Sequence, residues 1–185
     1  MKTIKIFFIT TILFTLSANS QITKGNWMVG GSGYFTNYKS TFQNNNTEET
    51  QTGNGFQVSP NLGYFIVNNF ALGAAASFSF SNPSGDNNNS HGYGLSPFVR
   101  YYFRKSEKMI NPFLQTSYGV SEGKSESGGS NKSSGYNIKG GSAIFFNSCV
   151  ALELTIDYIS SKYNNDSKNN NFIVGVGFQI HLQKE

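Results

Sequence analysis

Hydrophobic and polar residues in this chain alternate one by one, with a period of two rather than 3.6. The clearest stretch is 172–182. Phe172, Val174, Val176, Phe178, Ile180 and Leu182 share one face, and Ile173, Gly175, Gly177, Gln179 and His181 share the other. That repeat belongs to a β-strand with one side against apolar surroundings. Seven earlier stretches carry the same signature. The first begins at Gly25 and sets Trp27, Val29 and Phe35 against Met28, Gly30, Ser32 and Tyr34; the others fall near 53–67, 70–81, 91–103, 110–122, 135–146 and 149–161. Pro60 is a blemish in the second, because proline cannot donate to a ladder.

The connections alternate in length. Residues 37–52, 82–90, 123–134 and 162–171 are polar, lack any period and read as solvated loops. Between them lie the short turns Asn68-Asn69, 104–108 and Asn147-Ser148. Each strand exceeds the about 9–11 residues that a tilted strand needs to cross a bilayer. Outer-membrane barrels combine an even strand number with short periplasmic turns and longer outward loops. The predicted fold is therefore all-β: an eight-stranded antiparallel up-and-down transmembrane β-barrel, apolar face outward.

Aromatic residues sharpen that reading. Tyr64, Phe65, Phe70, Tyr101, Tyr102, Phe103, Phe145 and Phe146 gather toward the short turns. Phe35, Phe78, Phe80, Tyr93, Tyr118, Tyr136, Tyr158 and Phe172 gather toward the long loops. Two belts are expected where a barrel meets the two bilayer interfaces. The rival is a soluble, secreted, lipocalin-like barrel that turns its apolar face inward around a small ligand. Arg100, Lys139, Glu153 and Asp157 weigh against it, since all four fall in mid-strand on the non-apolar face.

Composition adds the address. Lys2 and Lys5 precede an apolar run over 6–16, and Ala18-Asn19-Ser20 supplies small residues for cleavage before Gln21. The expected layout is a signal peptide over 1–20 and a barrel domain over 21–185. That run is too short to span a bilayer as a helix. Without Lys2 and Lys5 the chain keeps 14 − 2 = 12 basic residues against 10 acidic ones, which gives no basic face for nucleic acid. The single cysteine, Cys149, excludes an intramolecular disulfide.

Candidate chemistry is sparse. His91 and His181 fall at opposite ends of the predicted barrel, so they cannot share a metal, and no cofactor is expected. Asp86, Ser90 and His91 lie close in sequence and would be the residues of a loop-sited enzyme, the least favoured reading. Arg100, Lys139, Glu153 and Asp157 form the expected polar network of the interior. Unpaired charges in a narrow lumen are costly, so mutual pairing is expected. Eight strands enclose a space that side chains just fill. A side-chain plug is thus favoured over a narrow channel.

With its leader, the Gly25-Asn26-Trp27 opening, eight alternating strands and the closing Gly175-Val176-Gly177-Phe178, the chain resembles the small Gram-negative outer-membrane β-barrel family. The OmpA/OmpX-type barrels and the "outer membrane protein beta-barrel domain" group are the relatives it resembles. The resemblance implies outer-membrane lipids and the barrel-assembly machinery as partners, with an extracellular partner at the loops. It also implies that Gly175, Phe178, Ile180 and Leu182 form the closing-strand assembly signal, although this chain ends Leu182-Gln183-Lys184-Glu185 rather than on an aromatic residue. The function expected is a non-enzymatic integral outer-membrane protein serving surface interaction or envelope integrity.

Overall fold

The computed structural model describes residues 22–44, 47–84, 89–105, 107–126, 128–164 and 167–183. The proposed leader and Asp86 lie outside these. Eight strands follow one another: β1 (Trp27–Asn44), β2 (Thr47–Val67), β3 (Phe70–Ser84), β4 (Ser90–Tyr102), β5 (Ile110–Ser125), β6 (Ser130–Phe145), β7 (Val150–Tyr163) and β8 (Lys168–Leu182). Each pairs antiparallel with the next, and β8 returns to β1, closing the barrel.

The register fixes the barrel's proportions. Starting at Trp27, the partners are Tyr64, Leu72, Val99, Thr116, Ile138, Tyr158 and Phe172 in turn. Extending the β8–β1 register from Phe172 returns to position 37, a stagger of 37 − 27 = 10 residues. With about 3.3 Å per residue and about 4.8 Å between strands, that stagger tilts the strands by about 40°.

Alternation sets the two faces. Along β4 the burial class switches at every residue, with Phe98, Arg100 and Tyr102 buried inside and Leu95 and Tyr101 exposed outside. Outside, Trp27 stacks near Tyr64 at 5.0 Å and Tyr101 near Phe103 at 5.3 Å at the short-turn end. At the other end Tyr158 lies 6.1 Å from Tyr136 and 5.0 Å from Phe172. The belt expected near the short turns needs correction. Phe65, Tyr102 and Phe145 are buried inside the barrel. Sequence position placed them at the right height, but their parity along the strand sends them inward.

The long polar connections also need correction. The strands run on through them, so that β1 and β2 stay paired to Asn44↔Thr47, β5 and β6 to Lys124↔Ser130, and β7 and β8 to Lys162↔Lys168. Outside the membrane both faces of a hairpin meet water, so nothing imposes an apolar period although the ladder continues. The short turns are tied by side chains. Asn69 takes φ 68°, and its amide donates to the carbonyls of Tyr102 and Arg104 at 2.9 and 2.6 Å. Asn147 accepts from the backbone N–H groups of Cys149 and Val150, both at 2.8 Å. Pro60 lies with Ser59 in a gap of the β2–β3 ladder, between Val58↔Phe78 and Asn61↔Ala75, across which the register is kept.

Candidate functional site in the barrel interior

The interior has two tiers, and residue size decides them. Toward the short turns the inward positions are large: Met28, Phe65, Phe98, Tyr102, Phe113 and Phe145 pack with Ala71, Ala143 and Ala151 into one buried cluster. Ile22 joins from the segment before β1 and is fully buried. That segment is held by Gly25 N–H to the Phe65 carbonyl at 2.8 Å, with Gly25 at φ 95°, a conformation only glycine adopts freely. His181 sits within the cluster, its ring 5.2 Å from Phe145 and 5.6 Å from Phe65. The Phe98 ring lies over Gly63 and Gly73. A Cβ at Gly73 would collide with that ring and with the Leu62 carbonyl, so the tight approach needs glycine.

Arg100 lies in this tier, 1% exposed, as is Glu153. They come from β4 and β7, and their side chains meet across the lumen. Arg100 Nη1 donates to Glu153 Oε1 at 2.5 Å, and Nη2 approaches Oε2 at 3.4 Å. The guanidinium's remaining donors reach Gln115 Oε1 at 2.8 Å and the Tyr102 hydroxyl at 2.9 Å. Its carbon stands 4.3 Å from the Phe113 ring centroid, a cation–π contact. Each of the three guanidinium nitrogens is thus engaged by a side chain, as a buried charge pair requires.

Toward the outward hairpins the inward positions are small: Ser77, Ser79, Gly92, Ser96, Ser117, Gly119 and Ser121 among them. They leave a polar cavity of about 350 Å³. Lys139 and Asp157, opposite one another on β6 and β7, line it. Lys139 Nζ stands 3.5 Å from Asp157 Oδ1 and 3.4 Å from Ser32 Oγ. Asp157 also accepts from Asn137 Nδ2 at 2.8 Å and Thr155 Oγ1 at 3.1 Å. Tyr34 donates to Gln57 Oε1 at 2.5 Å on the opposite flank. Gln115 joins the tiers, since it lines the cavity and accepts from Arg100.

The four interior charges therefore form two pairs, Arg100 with Glu153 below and Lys139 with Asp157 above. Of their uncharged partners, Gln115, Asn137 and Thr155 were not singled out in the sequence and Tyr102 was assigned to a belt, although parity places each on the same inward face. Ser90 and His91 are adjacent on β4 and so point to opposite faces, His91 exposed outside. They cannot act as a dyad on one substrate. Among the described residues no cluster of His, Cys, Asp or Glu could hold a metal ion. On β8, Gly175 faces inward and is buried, while Phe178, Ile180 and Leu182 face outward, and Leu182 pairs with Trp27.

Comparison with known proteins agrees with this architecture. Neisserial surface protein A superposes with a TM-score of 0.63 at 12% sequence identity, over 88% of this chain and 99% of that one. The N-terminal β-barrel domain of Pseudomonas aeruginosa OprF superposes with a TM-score of 0.57 at 16% identity, over 89% of this chain and all of that one (100%). At such identities the likeness is one of fold. No curated protein matches the sequence. The family described as "Outer membrane protein beta-barrel domain" matches residues 6–179, which cover most of the chain, and the chain belongs to that family of outer-membrane barrels.

Proposed function

We propose that this protein is a non-enzymatic outer-membrane barrel, closed to solute flow by its own side chains, with outward hairpins that serve surface contacts or envelope integrity. The carrying observation is the Arg100–Glu153 pair, each residue 1% exposed and boxed by Phe98, Tyr102 and Phe113. A water-filled path through that tier would hydrate the charges, whereas here each guanidinium nitrogen has a side-chain partner and Arg100 holds the carboxylate. The two-tier interior supports the same reading, since aromatic side chains occupy the tier that a conducting path would have to cross. Closing-strand residues Gly175, Phe178, Ile180 and Leu182 would serve the assembly machinery.

Planar-bilayer recording tests the closure. Purified, refolded protein is expected to give no unitary conductance. A steady unit current that changes on neutralising Glu153 or Arg100 would instead establish the narrow channel. The open polar cavity gives that second reading its one specific support, a small solute held above the Arg100 tier.

A further inference from the structure

The seam that closes the barrel is zipped along only part of its height. β1 and β8 pair from Trp27↔Leu182 to Gly33↔Val176, and there the ladder stops. Continuing the register would set Tyr34 against Gly175, Phe35 against Val174 and Asn37 against Phe172. Both edges exist as strand, each bonded only to its other neighbour: β1 to β2 through Asn44, and β8 to β7 through Lys168.

Three observations agree that the strands part above Gly33. Below the stop they touch: a Cβ built on Gly30 would strike the Phe178 carbonyl, and one on Gly177 would stand 3.1 Å from the Gly31 carbonyl. Above it they do not: a Cβ on Gly175 would meet only Thr155 and Asp157, and nothing of β1. Phe172 and Val174, each 78% exposed, are the most exposed of the large outward hydrophobics, as expected of a strand lacking a neighbour on one side. The parted edges also border the polar cavity, whose wall includes Ser32 and Tyr34 from β1 and Asn171, Ile173 and Gly175 from β8.

The height matters. Phe35 and Phe172 belong to the outer aromatic belt, so the first parted positions, Tyr34 and Phe35 on β1 and Phe172 to Gly175 on β8, lie within the outward leaflet, below the water-exposed hairpins. There an unpaired N–H or C=O facing hydrocarbon is strongly disfavoured, because no water reaches it. Such edges persist only where something polar reaches them. We propose that the upper β1–β8 seam is a lateral window through which a single-chain amphiphile from the outer leaflet seats its polar head in the cavity and leaves its acyl chain in the bilayer, beside Phe172 and Val174. The cavity's chemistry selects the head. Lys139 and Asp157 neutralise one another, and hydroxyls and amides share the rest of the wall with Ala75, Ile159, Ile173 and the acidic Glu122, so a zwitterionic or hydroxyl-rich head fits better than an anionic one. The available volume, about 350 Å³, suits one head group rather than a whole lipid. This inference rests on the reading of a closed lower tier only in making the cavity blind at its base; conductance tests the base, and the experiment below tests the side wall.

Two measurements in lipid bilayer nanodiscs decide it, both in a Cys149→Ser background. Cysteine pairs report the seam: V29C/I180C, at paired positions, is expected to oxidise to a disulfide, and F35C/V174C to remain reduced because the strands stand too far apart. Equal oxidation of both pairs would show a fully zipped seam and overturn the proposal. Lysophosphatidylcholine with a nitroxide on its head group reports occupancy. Loss of the amide NMR signals of Ser32, Ser117 and Gly175 is expected, together with no loss at Ala71 and Ala151 in the lower tier. Unchanged cavity signals would overturn the proposal. So would F35C/V174C disulfides linking two chains, because the edges would then belong to a dimer.

Discussion

Replacing Glu153 by glutamine tests how dry the lower tier is. The substitution keeps the shape of the side chain and one acceptor for Arg100 while removing the charge. Arginine cannot shed its proton, so the variant buries a guanidinium with no counter-charge. Breaking a buried pair in this way costs about 3–5 kcal/mol, whereas an exposed pair is worth about 0–1 kcal/mol. With both residues 1% exposed, the first value applies. It is a large share of the about 5–15 kcal/mol that holds a typical domain folded. Arg100→Met should cost less, because the glutamate left behind can neutralise itself by taking a proton. The double variant R100M/E153L should return to within about 1 kcal/mol of the parent or exceed it, since apolar replacements of buried ion pairs are often neutral or stabilising. Urea unfolding in lipid vesicles, read by the gel migration of unheated samples, ranks the parent and the three variants. If E153Q lies within about 1 kcal/mol of the parent, water reaches the pair from the cavity above, and the case for a closed lumen fails with it.

Two further outcomes follow from local geometry. Gly73→Ala should destabilise by about 1–3 kcal/mol through overpacking against Phe98, and less in a Phe98→Ala background, where the ring that blocks the new methyl is gone; unfolding midpoints of the two singles and the double check it. Above the membrane, hydrogen bonds from Ser130 (3.0 Å) and Tyr93, followed by the charges of Lys124 and Lys132, hold the Glu122 carboxyl below its ordinary value. A depressed carboxyl stabilises the fold above its unfolded value and loses that contribution as pH falls through the folded one. Carboxyl NMR titration should find Glu122 titrating below a free glutamate, and Ser130→Ala should move it back up.

How much of this was legible depends on which property is local. Strand identity and facing are local, because a lipid-bathed wall forces every second residue to be apolar. Phe172 to Leu182 alone display it, and Arg100, Lys139, Glu153 and Asp157 fall inward by parity. Parity also places Phe65, Tyr102, Phe145 and His181 inside, but aromatic character assigns the first three to the belts. The size gradient was equally present. On β4 the inward series Gly92, Gly94, Ser96, Phe98, Arg100, Tyr102 grows from one end to the other, and β5 runs from Ser121 through Gly119, Ser117 and Gln115 to Phe113. Such a series predicts a cavity at one end and a packed core at the other. The outward hairpins were hidden for the opposite reason, since water on both faces removes the alternation that marks a strand.

Pairing across the lumen and closure of the sheet are not local, and no window along the chain contains them. Arg100 meets Glu153 rather than Asp157 because a ten-residue stagger over eight strands brings those heights together. The closing seam depends on the same sum: seven successive registers determine where β8 arrives beside β1, and a one-step change in any of them would turn an inward residue out. Those seven are set by hairpins whose turns pin the strands, as Asn69 and Asn147 do. The eighth pairing, β8 with β1, has no hairpin, since these are the first and last strands. Beyond its backbone ladder it is held by side chains that reach over it, among them Lys139 from β6 to Ser32 on β1, and Gln179 from β8 to Asn61 on β2 at 3.2 Å. Both act at or below Gly33, where the ladder is intact. Above that level no such strut from β8 reaches β1 among the described hydrogen bonds, and that is where the wall of the cavity gives way to the membrane.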